Sequence, residues 1–242
     1  MTPIDLDEDG ALELVFSPVE NYVFCVEQCD VRYYQFQVLR WDGNAFTEVP
    51  LTTLPESAPA ELRDLNNRAV ELARAGLWKD ALTTIRQARA IDYERNNPAV
   101  SMLLWNEILI SLHAEAKFKH TLDKGDKNYP LLAHVLYGDY DNALQMMRRY
   151  PVEEIFRPQS ALITGTIAAE WKLELNDWTS KAVEKAISAQ PELAAAYFLR
   201  GWSTYLVDPN DPQVLFDIER AAELASGERL FQESLKYFSL SN

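Results

Sequence analysis

The sequence predicts an α+β chain: a short antiparallel four-stranded sheet over residues 1–55, followed by an all-helical region over residues 56–242. Three observations carry this. Aromatic and β-branched residues dominate the stretches 12–16, 21–25, 29–41 and 45–49, as strands require. TTLPESAP, residues 52–59, then breaks the pattern with two prolines and small polar residues, and Ser57 or Pro59 can open a helix. Beyond it, Leu65, Ala69 and Leu72 fall on one helical face, Gly76 interrupts, Trp78 restarts the chain, and Ala81, Ile85, Ala88 and Ile91 line a second helix. The small residues at 69, 81 and 88 let the two helices of this hairpin approach closely.

Composition bounds the function. With 242 residues, 48% hydrophobic and 25% charged, the chain can bury a sizeable core and is not a disordered sequence. The net charge of −14 is uneven: residues 1–58 carry 11 acids against 2 bases, a balance of −9, and the remaining residues carry −5. Such a surface repels phosphate backbones, and no basic cluster with interleaved aromatics occurs, so nucleic acid is not an expected partner. No apolar run reaches the roughly 18 residues of a membrane span.

The N-terminal loop carries the sharpest chemistry. Asp5, Asp7 and Asp9 stand at alternate positions, Gly10 allows a sharp turn, and Glu13 follows; with the carbonyl of Ala11 they can converge on one hard cation, Ca2+. The competing reading is an acidic surface turn without an ion. An EF-hand would need its last carboxylate where Phe16 stands and a helix after it, whereas LELVF reads as a strand. DLDEDGALELV resembles the calcium loop of the FG-GAP or VCBS repeat of integrin-type β-propellers, departing from it at Glu8, where that family has glycine.

In RYYQFQVLRW, residues 32–41, side chains alternate between two faces, and Asp42-Gly43 makes a hairpin turn. VLRWDGNAFTEV resembles the outer hairpin of a propeller blade. A propeller needs four or more blades, so residues 1–55 are expected to be the last blade of a longer protein or a lone sheet capped by helices. Cys25 and Cys29 flank three residues and can face each other across a hairpin loop, giving either a disulfide or a pair of reduced thiols. The FG-GAP resemblance implies an extracytoplasmic setting, where a bridge persists. The start of the chain offers no cationic segment and no apolar signal core. The chain is therefore expected to be a C-terminal portion of an exported protein, with a cytoplasmic protein as the alternative.

Along the helical region, residues 99–118 form one unusually apolar helix, and Pro130 opens another. Gly138, Tyr140, Ala143 and Met147 repeat the places of Gly76, Trp78, Ala81 and Ile85. Residues 158–175 read as a further helix, Ala182, Ala186 and Ala189 pack the next, and AYFLRGWSTYL with DIERAAEL forms a last hairpin across the loop VDPNDP. Residues 228–239 read as a solvated capping helix. This order resembles tetratricopeptide repeats, units of about 34 residues that stack into a right-handed solenoid. The resemblance covers residues 60–239 and implies a groove for a protein or peptide, with Asn66, Val70, Phe198, Trp202 and Tyr205 as its contacts. Phe198 and Trp202 can equally be core.

No nucleophile elbow, phosphate-binding glycine loop or zinc-protease helix occurs. His113 and His120 are separated by about 10 Å of helix rise, too far to share a metal. The chain is expected to be a non-catalytic binding or scaffolding module. The alternative is an accessory domain of an enzyme whose catalytic part lies N-terminal to it or at the junction of sheet and solenoid.

Overall fold

The computed structural model describes residues 3–24, 30–91, 98–120, 129–157 and 169–241. It is an α+β structure, with five short antiparallel strands followed by ten helices among the described residues. The strands are β1 (Glu13–Phe16), β2 (Val19–Val23), β3 (Asp30–Tyr34), β4 (Gln37–Trp41) and β5 (Phe46–Glu48). By compactness the chain divides into two units, Met1–Glu20 with Arg32–His120, and Asn21–Val31 with Thr121–Asn242.

In place of one four-stranded sheet, three strands pair in the order β1-β4-β5 and two more pair as β2-β3. The cause lies at Gln35-Phe36, inside the run expected to be one strand. The Gln35 N–H donates to the Pro18 carbonyl (2.9 Å) and the Phe36 N–H to His113 Nε2 (3.1 Å), so the backbone leaves its ladder there. Side-chain alternation continues through such a break, which hides it from a pattern reading. The Asp42-Gly43 hairpin is present: Asp42 Oδ1 accepts from the Asn44 and Ala45 N–H groups, and Gly43 adopts φ +99°.

The first unit adds α1 (Ala60–Arg74), α2 (Trp78–Arg89) and α3 (Pro98–His120). Gly76, at φ +80°, ends α1 in a Schellman turn: its N–H donates to the Ala73 carbonyl and the Leu77 N–H to the Leu72 carbonyl. The expected face of α2, with Trp78, Ala81, Ile85 and Ala88, is buried. Beneath the sheet, Val38 packs with Trp105 and Leu109, flanked by Val15, Val49 and Leu51. His113 is held as a neutral imidazole: its Nε2 accepts from Phe36, which leaves Nδ1–H to donate to the Leu109 carbonyl (2.9 Å), and the ring stacks on Trp78 at 3.9 Å. Burial lowers its pKa.

The second unit contains α4 (Pro130–Leu136), α5 (Tyr140–Met147), α6 (Val152–Ile155), α7 (Lys172–Ala189), α8 (Ala194–Val207), α9 (Pro212–Leu224) and α10 (Arg229–Ser241). Gly138, at φ +65°, closes α4 with the same pair of bonds found at Gly76: Gly138 N–H to the Val135 carbonyl and Asp139 N–H to the His134 carbonyl. The helix expected over 158–175 is described only from residue 169, where a 3-10 turn leads into α7, and α7 runs without interruption through Ala182, Ala186 and Ala189. Asp211 caps α9 by accepting from the Gln213 N–H (2.8 Å), with Pro212 at the first helical position. Helices α8 and α9 touch closely at Gly201, where an added Cβ would meet Asp217 Cβ at 3.0 Å and the Val214 carbonyl oxygen at 3.3 Å. The final helix buries Leu230, Phe231 and Ser234, so it is packed on one side instead of being solvated all round.

Candidate cation site in the N-terminal loop

Residues 5–12 form a loop closed at its base by two backbone hydrogen bonds, Ile4 N–H to the Glu13 carbonyl (3.0 Å) and Glu13 N–H to the Ile4 carbonyl (2.8 Å). Within it, Asp5 Oδ2 accepts from the Gly10 N–H (3.0 Å), Asp9 Oδ1 from the Ala11 N–H (2.9 Å), and Glu13 Oε2 from the Leu6 N–H (2.9 Å). Gly10 sits at φ +90°. Glu8 sits at φ +60°, a left-handed conformation that glycine adopts at no cost. Backbone donors and two left-handed residues therefore fold the side chains inward.

Carboxylate oxygens of Asp5, Asp7 and Glu13 lie within 4.8 Å of one another, a grouping that could hold a metal ion. Glu13 is fully buried and the Asp7 side chain is 6% exposed. One oxygen on each, Asp5 Oδ1, Asp7 Oδ1 and Glu13 Oε1, is buried without a hydrogen-bond partner among the described residues. Burial raises the pKa of Asp7 and of Glu13, with Arg40 pulling the other way on both. An all-carboxylate set with unmatched oxygens suits a hard cation with oxygen preference, so the residues present fit such an ion.

Arg40 is the group that sequence reasoning missed. It lies directly across the ladder from Glu13 in the β1–β4 register. Its guanidinium bonds to Asp9, stands 3.4 Å from Asp7 and 3.7 Å from Glu13, and packs over the Trp105 ring at 5.4 Å. One signal was available: Arg32 and Arg40 are the only bases among the first 58 residues. Asp9 is exposed and lies outside the three-carboxylate grouping; a hydrogen bond from the Ala11 N–H and the nearby Arg40 hold its carboxyl below its usual pKa. Ala11 contributes its N–H to the loop's internal bonding. Cys25 and Cys29 lie outside the described residues.

The expected groove contacts are placed differently from the sequence reading. Asn66 and Val70 are fully buried. Asn66 belongs to an amide clamp on the linker: its Nδ2 donates to the Thr52 carbonyl (3.1 Å), and Asn106 donates to both that carbonyl and Asn66 Oδ1 (each 2.7 Å). Phe198 and Trp202 are also fully buried, Phe198 beside Phe156 and Phe231, and Trp202 with its indole N–H donating to the Ile155 carbonyl (3.1 Å). These four side chains present no surface to a partner; α8 is apolar on more than one face, so helical spacing alone cannot separate its core from its rim. Tyr205 is partly exposed and packs edge-on to Phe156 and Phe238. An open groove of about 820 Å³ lies instead between Arg148–Glu153 and α10, where Arg149, Tyr150, Lys236 and Tyr237 stand beside the Arg148–Glu228 ion pair.

Among the described residues no helix is long and apolar enough to cross a membrane. Compared with known proteins, the chain matches no family model, no curated protein and no solved structure.

Proposed function

We propose that this chain is a non-catalytic recognition module whose helical hairpins, of the tetratricopeptide type, act as a protein- or peptide-binding scaffold, and whose N-terminal loop, of the FG-GAP type, is stabilised by calcium. The observation that carries the calcium reading is the convergence of Asp5, Asp7 and Glu13, each with a buried oxygen that lacks a hydrogen bond. With the Ala11 carbonyl and water they would supply oxygens from a loop flexible enough for Ca2+. Mg2+, which demands near-octahedral geometry, would substitute poorly. The scaffold reading is supported by the matching Schellman turns at Gly76 and Gly138, each followed by a buried aromatic, Trp78 or Tyr140. Under it, a peptide partner uses the groove beside α10 and not the buried aromatics of α8. A role outside the cytoplasm, where calcium is plentiful, goes with this reading.

Titration calorimetry with CaCl2 and MgCl2, paired with thermal melting, tests the ion. One calcium should bind, magnesium should bind far more weakly, and melting of the N-terminal part should rise with calcium as mass action requires. Asp7→Ala should abolish both signals. No heat and no melting shift at millimolar calcium overturns the calcium reading.

A further inference from the structure

We infer that Arg40 is a resident counter-ion of the acidic loop: its guanidinium occupies the carboxylates that a divalent cation would use, and ion binding requires it to give up Asp7 and Glu13 and retain Asp9. This rests on the reading that Asp5, Asp7 and Glu13 take a cation.

The strand register makes the competition unavoidable. Arg40 sits on the central strand of the three-stranded sheet directly opposite Glu13 of β1, and β4 is also fixed by β5 through the Arg40–Thr47 pairing. Its backbone therefore cannot withdraw, and only the side chain can move. That side chain is about one third exposed and rests on the Trp105 ring, a surface along which it can swing. Of its three acidic neighbours, Asp7 and Glu13 also belong to the grouping that could hold a metal, whereas Asp9 does not. Asp9 is exposed, so a guanidinium left there alone keeps a hydrogen-bonded partner and water. A divalent ion and a guanidinium on the same two buried carboxylates would repel each other at close range in a poorly solvated site. The affinity of the loop is thus set by the cost of moving Arg40 as well as by the ligands. Without an ion, Arg40 keeps the loop folded despite the five carboxylates of residues 5–13; with an ion, it becomes dispensable.

Calcium titration of the wild-type chain and of Arg40→Gln tests this. Arg40→Gln should bind calcium at least tenfold more tightly. It should melt at a lower temperature than wild type in chelator and lose that deficit at saturating calcium. Where Arg40→Gln proves too unstable to titrate, the arginine Nε–H signal of Arg40 in the isotopically labelled wild-type chain decides: it should shift on calcium saturation, and an unmoved signal overturns the inference. Equal or weaker binding by Arg40→Gln, with wild type still binding, overturns the role of Arg40 and leaves the cation site standing. Absence of binding by both chains removes the site itself and the inference with it.

Discussion

Among the described residues two acidic side chains have no exposed surface, Glu13 in β1 and Asp217 in α9, and their surroundings differ in kind. Asp217 is saturated: its Oδ1 accepts from Arg200 Nη2 (2.7 Å) and Gln213 Nε2 (2.9 Å), and its Oδ2 from Arg200 Nε (2.8 Å). One guanidinium serves one carboxylate in a forked geometry. Glu13 has one backbone donor, and it shares its guanidinium with Asp7 and Asp9 while Glu13 Oε1 accepts no hydrogen bond. Buried charge that is fully matched belongs to the architecture. Buried charge that is under-matched can be relieved by a proton or by a cation, and that distinction separates the α8–α9 pair from the N-terminal loop.

The largest expected effect breaks the matched site. Asp217→Ala strands the Arg200 guanidinium, 17% exposed, beside an apolar helix contact, and should cost about 3–5 kcal/mol in urea unfolding of the helical part. Glu13→Gln should behave oppositely in chelator. It removes a charge from an over-acidic loop, so stability should stay level or rise while calcium binding is lost. A loss of several kcal/mol for Glu13→Gln would mean that the loop's charges are already balanced, and the contrast between the two sites would fall.

Much of the scaffold was legible in particular residues. Gly76 and Gly138 announce helix ends because the Schellman turn needs a left-handed residue, and the spacing of Ala81, Ile85 and Ala88 shows the face of α2 that is buried. The loop was legible for a similar local reason: Asp5, Asp7, Gly10 and Glu13 lie within nine residues. Arg40 was not, because its meeting with Glu13 depends on a strand register spanning both sheets' sequence. Asn66 was misplaced for the same reason, since the carbonyl it holds, on Thr52, and its partner Asn106 lie outside its own helix. Local periodicity reports which face is buried and is silent about the long-range hydrogen bond that gives a polar residue its place there.

Acid should sharpen the comparison next. Burial raises the folded pKa of Glu13 and Asp7, so in chelator the folded loop takes up protons before the unfolded chain does. Its stability should increase as pH falls through those raised values towards the unfolded carboxyl range. His113 acts in the opposite sense and at higher pH. Its folded pKa is depressed by burial, so stability is lost as pH drops below the unfolded value of about 6.5. Melting of the N-terminal part should therefore fall first and then partly recover. Glu13→Gln should reduce the recovery, and His113→Asn should remove the initial fall. In the helical part, Glu228 is held below its usual pKa by Arg148, so its contribution persists in mild acid and is lost only as pH falls through that lowered value. A monotonic loss in both parts would remove the distinction between under-matched and matched carboxylates.

The smallest expected effect isolates the loop's backbone from its charge. Glu8 is exposed and is the only described residue other than glycine with positive φ, at +60°. A side chain there costs about 1–2 kcal/mol through the clash of Cβ with the following carbonyl, and glycine relieves it while adding about 0.5–1 kcal/mol of unfolded-state freedom. Glu8→Gly should therefore gain roughly 0.5–1 kcal/mol. Glu8→Ala provides the control, because it removes the same negative charge and keeps the Cβ. If strain dominates, Glu8→Gly is the more stable of the two, with and without calcium. If the two variants gain equally in chelator and lose the gain at saturating calcium, charge crowding is the dominant cost. Residue 8 would then count with the under-matched carboxylates, although it is exposed and stands outside the group of three that converge.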